Sequence, residues 1–252
     1  MKQEIKILRQ HGVQYIKDLR RQQLSPLFKG RPVISEEITE KEIASAAGVC
    51  PAGAVCSKTG SLDLGKCMFC GECVFINPDK IKFTNDYRIA ANRREDLIIK
   101  PGQTGEIRLS ENHVRAEIRR IFRKGLKLRQ VSAGGDNACE MELNAAGNVN
   151  FDMGRFGIEF TASPRHADGI VITGPVSSAM SYALKNTYDA IPEPKLIILS
   201  GTDAISGGMF AESKAIDRSF LADKKIDLYV PGNPAHPLTF INGVLDLLGI
   251  RL

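Results

Sequence analysis

A chain of 252 residues carrying a net charge of +5, with 43% hydrophobic and 25% charged residues, has an ordinary globular composition, which indicates neither a disordered chain nor a fibre. Its longest apolar runs, such as residues 196–199, fall far short of the roughly 18–20 residues that a bilayer crossing needs, so no direct membrane span is expected. Residues 1–8 alternate charged and apolar types without an apolar signal core, and the six cysteines are spaced for metal ligation rather than for disulfides, which points to a reducing, cytoplasmic location.

Residues 1–23 suit a short helix with apolar Ile5, Leu8, Tyr15, Ile16 and Leu19, weakened in its middle by Gly12 and expected to act as a docking arm. Proline and glycine in Pro26-Leu27-Phe28-Lys29-Gly30-Arg31-Pro32 break it. Acidic and alanine-rich residues 36–47 predict a second helix, ending at Gly48. Residues 80–83 and 97–99 read as short strands or extended links. The clearest linker is Pro101-Gly102-Gln103-Thr104-Gly105, and it divides the chain into a first domain, 1–100, and a second, 101–252.

Ser110 is a good N-cap, and Val114, Ile118, Ile121 and Phe122 then repeat at helical spacing up to Gly125. Beyond it, strands at 126–131, 158–161, 169–173, 195–199 and 227–230 alternate with helices at 138–146, 177–191, 209–220 and 238–248. Such alternation predicts an α/β architecture, a flavodoxin-like parallel sheet in three layers. Ligands of such sheets gather outside the carboxyl ends of the strands, here residues 133–139, 174–177, 201–208 and 231–237.

Chemistry is concentrated in residues 50–73, which hold four of the six cysteines. Cys67, Cys70 and Cys73 form the Cys-x2-Cys-x2-Cys run of a bacterial-type ferredoxin loop. The following ligand position of that run is occupied by Asn77, ahead of Pro78. Upstream, Cys50-Pro51 reads as the closing half of a preceding motif whose leading positions are now Ala46, Ile43 and Glu40. Paired motifs exchange their fourth ligands, so Cys50, Cys67, Cys70 and Cys73 make one complete set for a single [4Fe-4S] cluster. Zinc prefers two Cys-x2-4-Cys pairs to a triplet plus a distant cysteine. Cys56 fits no ligand slot and is expected to be a small buried hydrophobe. There is no nucleophile–base pair, Walker motif or GxGxxG, so no catalytic residue is assigned. Basic clusters at 17–21 and 115–129 lack interleaved aromatics and read as solvated helix faces, without a nucleic-acid partner.

Several motifs of the second half, in one order, carry a resemblance: residues 134–142, Ser163-Pro164-Arg165-His166-Ala167-Asp168, Val171-Ile172-Thr173-Gly174, Pro192-Glu193-Pro194-Lys195, residues 201–210, and Tyr229-Val230-Pro231-Gly232-Asn233-Pro234-Ala235-His236-Pro237. Together they resemble the small-subunit family of energy-converting NiFe hydrogenases and of respiratory complex I. The first half, with Phe28-Lys29-Gly30-Arg31-Pro32, the cysteine run and residues 86–98, resembles the ferredoxin-like subunit of the same complexes, so the chain looks like a fusion of the two.

The resemblance implies an electron-transfer subunit peripheral to the inner face of a membrane. Its implied partners are a hydrogenase-like or complex I-like large subunit and membrane subunits, with a soluble ferredoxin as a further donor or acceptor. Alternatives are a non-redox structural or regulatory subunit of an ion-translocating complex, and a free-standing ferredoxin-like carrier. The family holds a proximal [4Fe-4S] cluster on four cysteines. At those places this sequence has Asp136, Cys139, Asp203 and Asn233, a degenerate site with one thiol left, and it implies that the proximal cluster is absent. His236, in its Pro-Gly-x-Pro-x-His-Pro context, is structural in this reading.

Overall fold

The computed structural model describes residues 2–250; Met1, Arg251 and Leu252, at the outer ends of the two expected domains, lie outside the described residues. Helix α1 (Lys2–His11) stops where Gly12 turns left-handed at φ +62, so the helix expected over residues 1–23 is half that length. Gly12 ends it rather than weakening its middle. The chain then runs as a strap over its own core. Leu19 is fully buried, and its carbonyl accepts from the Tyr87 hydroxyl at 2.8 Å and from the Asn242 amide at 2.9 Å. Ile5, Ile7 and Leu8 of α1 stay exposed.

The first half builds two small antiparallel pairs. β1 (Pro32–Ile34) joins β3 (Ile81–Phe83), and β2 (Leu62–Asp63) joins β4 (Ile98–Ile99). Between them α2 (Glu40–Val49) packs on α3 (Glu72–Ile76). Helix α2 begins later than composition suggests because Thr39 and Glu42 close a capping box, each side chain accepting from the other's backbone N–H.

The helix expected from Ser110 starts only at α4 (Ala116–Phe122), after a single 3-10 turn at Glu111–His113. Asn92 explains the delay. Its side chain accepts from the Ser110 N–H at 2.8 Å and donates to the Ser110 carbonyl at 2.9 Å, holding Ser110 extended. The five expected strands all form: β5 (Leu126–Ser132), β6 (Ile158–Phe160), β7 (Gly169–Thr173), β8 (Leu196–Ser200) and β9 (Leu228–Val230). They are parallel throughout, in the order β6-β5-β7-β8-β9. Counted within the sheet this is 2-1-3-4-5, the flavodoxin-like order. Every residue of β7 and β8 is buried, as apolar strands covered on both faces must be.

Helices α5 (Ala138–Ala146), α6 (Ser178–Asp189), α7 (Thr202–Ser206), α8 (Ser219–Ala222) and α9 (Pro237–Leu248) complete the chain. The helix expected at 209–220 does not form. Residues 215–217 instead pair with 176–178, through Ser178 N–H to Ala215 O and Asp217 N–H to Val176 O, at 2.8 and 2.9 Å. One apolar core gathers α4, α5 and α9 on one face of the sheet. The core on the other face contains Leu184 of α6 and Ala204 and Ile205 of α7, together with Ile34, Leu62, Leu64 and Ile81 from the first half. The two halves of the chain therefore share a core across that sheet face, and Ala91 bridges to Tyr229 in antiparallel fashion.

Candidate cofactor site

Cys50 caps the C-terminal end of α2, Cys67 and Cys70 lie in the loop before α3, and Cys73 stands in the first turn of α3. Cys50, Cys67, Cys70 and Cys73 line one small cavity, partly open to solvent, whose apolar walls include Val55, Leu62 and Phe83. The loop curls because Phe69 and Gly71 are both left-handed, at φ +55 and +93. That conformation strains a phenylalanine, and it aims the Phe69 N–H at Cys67 Sγ, 3.3 Å away. The Ala54 N–H meets Cys50 Sγ at 3.2 Å in the same way. Donors on sulfur favour the thiolate.

Burial works the other way. It pushes Cys67 up to about 12, helped by the charges of Cys73, Cys50 and Cys70, and Cys73 up to about 11, helped by Cys50 and Cys70. Four coupled thiols with inward N–H donors fit a cationic, thiophilic group. Among the described residues no three His, Cys, Asp or Glu side chains are gathered to hold a single metal ion. Cys56, expected to be buried, is exposed. Hydrogen bonds from the Thr59 side chain and from the Lys58 and Thr59 backbones lower its thiol pKa.

The second set of residues lies at the carboxyl ends of the strands. Cys139 Sγ is pressed on Gly201, where an added Cβ would lie 2.4 Å from the sulfur. Burial, with smaller contributions from the neighbouring Glu140, Asp203 and Asp136, pushes this thiol up to about 12 against an opposing hydrogen bond from the Ala235 backbone. Asp203 is also raised, first by burial and then by Asp136. Asp136 accepts from the Ala138 N–H at 3.0 Å. Asp136, Cys139 and Asp203 are thus neighbours. Asn233 lines an adjoining pocket with Phe28, Lys29, Phe69 and His236. One thiol held protonated by burial and two mutually repelling carboxyls do not fit an iron-sulfur cluster.

The two sets are neighbours in space. The Thr202 hydroxyl, at the start of α7, donates to the Cys67 carbonyl at 2.8 Å and to Gly232 O at 3.2 Å. Thr202 thus joins the cysteine loop to the strand-end loops. Thr202, Arg218 and Glu140 carry no spacing signal that would have found them in sequence. Arg218 reaches the carbonyls of Pro175, Asp203, Ala204 and Ile205 at 2.8–3.2 Å. Glu140 is buried and accepts from the Thr173 hydroxyl at 2.6 Å.

His236 caps α9. Its Nδ1 accepts from the Leu238 N–H at 3.1 Å, and its ring lies edge-on to Phe28 and Phe151. Burial lowers its pKa to about 4. A pKa depressed below the usual value of about 6.5 means that the stability contributed is complete above pH 6.5 and is lost as pH falls toward 4. Protonation also removes the Nδ1 acceptor. His236→Asn retains a capping acceptor and no proton site, so denaturation at pH 7 and pH 4.5 should show a shallower acid loss in the variant, by at most about 3 kcal/mol.

The fold and these loops define an α/β protein whose polar chemistry is gathered at the carboxyl ends of a five-stranded parallel sheet. Over residues 137–247 the chain matches the family described as NADH ubiquinone oxidoreductase, 20 Kd subunit. An NADH-quinone oxidoreductase subunit of Heliobacterium modesticaldum is 37% identical over 152 residues, 59% of this chain and 86% of that one. The probable membrane-bound hydrogenase subunit mbhJ of Pyrococcus furiosus is 35% identical over 115 residues, 46% of this chain and 69% of that one. Several other NADH-quinone oxidoreductase relatives are covered over 59–65% of their length. Among solved structures, a chain of the archaeal membrane-bound sulfane sulfur reductase aligns with a TM-score of 0.46 at 24% identity, covering 53% of this chain and 73% of that one. The chain belongs to the family of the complex I 20 kDa subunit. The cysteine quartet at 50–73 lies outside the residues matched to that family. Among the described residues no helix is long and apolar enough to cross a membrane.

Proposed function

We propose that this chain is an electron-transfer subunit of a membrane-associated, hydrogenase-related or complex I-like assembly. In this reading a family domain is fused to a ferredoxin-like segment that holds one [4Fe-4S] cluster, and the family's usual cluster place is empty of thiolates. The observation that carries it is that Cys50, Cys67, Cys70 and Cys73 line one cavity, while among the described residues Cys139 stands as a single thiol beside Asp136 and Asp203. When bound, such a cluster takes up and returns one electron. The chain's own part is to supply four thiolates, to direct the Ala54 and Phe69 N–H groups at two of them, and to wall the site with Val55, Leu62 and Phe83. Cys70 is exposed, which leaves a short path to a partner on that side. Membership of a family whose named relatives are subunits supports large-subunit and membrane-subunit partners.

The loss of thiolates around Cys139 supports a wire that does not run through the family's usual position. Cys139→Ser should leave the iron content and the EPR spectrum of the anaerobically purified protein unchanged. A second cluster signal, lost in that variant, would overturn the reading.

A further inference from the structure

The segment Phe28-Lys29-Gly30-Arg31-Pro32 places Lys29 on the cysteine loop. Its backbone is held on both sides of the lysine: Phe28 N–H donates to Ser25 O at 2.9 Å, Gly30 N–H to Thr84 O and Arg31 N–H to Asp86 O, each at 2.8 Å. Gly30 is required there, because a Cβ would lie 2.2 Å from the Asp86 carbonyl oxygen. The Phe28 ring is set against His236, 5.2 Å between centroids. With its Cα so fixed, Lys29 extends across the loop and its Nζ donates to the carbonyl of Cys70. The ammonium covers Gly71 as well, where an added Cβ would come within 2.8 Å of it. Surface lysines lose much side-chain entropy on being held. This one is held at the backbone of the exposed member of the thiol quartet.

We propose that Lys29 is a positioning and charge-setting residue for the group held by the four cysteines, raising its reduction potential. The proposal rests on the ligand assignment above. Four thiolates concentrate negative charge, and reduction adds one more. A cation beside them therefore stabilises the reduced form more than the oxidised form, and net charge and hydrogen bonding near the sulfurs are general levers on cluster potentials. Lys29 is exposed, so solvent and salt screen its field. Its bond to Cys70 O also fixes the loop that joins Cys67 to Cys73 at the start of α3.

The test is an EPR-monitored redox titration of the full-length chain, with iron content measured on the same samples. At the wild-type midpoint, Lys29→Gln should move the oxidised-to-reduced ratio about tenfold toward oxidised, a downshift of about 59 mV for one electron. Lys29→Arg keeps the charge and should stay near wild type, and the gap between the Gln and Arg variants should narrow at high ionic strength. Lys29→Met, which keeps the apolar stem, carries the comparison if the glutamine variant does not load. An unchanged potential in the neutral variant, or an equal shift in the Arg variant, overturns the role of Lys29. Absence of iron from the wild-type protein is a different failure, that of the ligand assignment itself.

Discussion

Cys70→Ser is expected to remove most of the iron from the protein and to loosen residues 40–85, with a loss of several kcal/mol of local stability. The region's regular structure is short, although Ala46, Leu62, Leu64 and Ile81 anchor it in the shared core. Strands β1 to β4 are two or three residues long, α3 has five residues, and the four ligands share the cavity wall with Val55, Leu62 and Phe83. Without metal the thiols at Cys67 and Cys73, raised to about 12 and 11 by burial, stay protonated. Loading must displace those protons, so each remaining thiolate is formed at a cost that the missing fourth bond no longer offsets. Cys56→Ser, at an exposed thiol lining no part of that cavity, is the control that should keep its iron. Iron analysis and amide hydrogen exchange of the two variants separate the outcomes.

Arg218→Ala is expected to cost about 3 kcal/mol, and with it roughly 6–12 °C of thermal stability in a chain of this size. Four backbone carbonyls accept from one guanidinium, three of them belonging to the five-residue helix α7. The Gly207 N–H reaches the Asp203 carbonyl at 2.7 Å, and Arg218 supplies donors from outside to the Ala204 and Ile205 carbonyls at the end of this short helix. It also reaches Pro175, beside Val176, a buried β-branched residue held left-handed at φ +66. That strain persists because its surroundings fix it, and Arg218 is part of what fixes it. Burial lowers the pKa of the guanidinium, which nonetheless stays charged at any ordinary pH. Lysine has three rotating donors in place of a planar fork, so Arg218→Lys should recover only part of the loss. Hydrogen exchange should show protection lost first at residues 201–208, the segment that contains α7 with Thr202 and Asp203.

The parts of this fold that are legible in sequence are those with local causes. β7 and β8 are β-branched runs between turn residues, and both are readable as buried strands of a parallel sheet. α5, α6 and α9 are readable from apolar spacing and from flanking glycine, proline and serine. The cysteine quartet is equally local, since three of the four thiols fall in one seven-residue run. The failures share a different cause. Residues 209–220 have apolar spacing that fits a helix, yet residues 215–217 are taken by a distant segment at 176–178. Ser110 has the chemistry of a helix cap, yet Asn92 holds its backbone extended. Helix α7 is too short for periodicity to register. Around the site, Thr202, Arg218 and Lys29 all act by donating to backbone carbonyls remote in sequence, and such partnerships leave no pattern in the residues that make them. Asp136, Cys139 and Asp203 are located by resemblance rather than by spacing, and the folded chain places them as neighbours.

Iron and acid-labile sulfide content, measured with the EPR spectrum of the dithionite-reduced, anaerobically purified full chain, bears most directly on what this protein does. About four irons and four sulfides per chain, with one paramagnetic species after reduction, are expected from a single set formed by Cys50, Cys67, Cys70 and Cys73. One zinc in place of the iron, or about eight irons with two interacting signals, would contradict it.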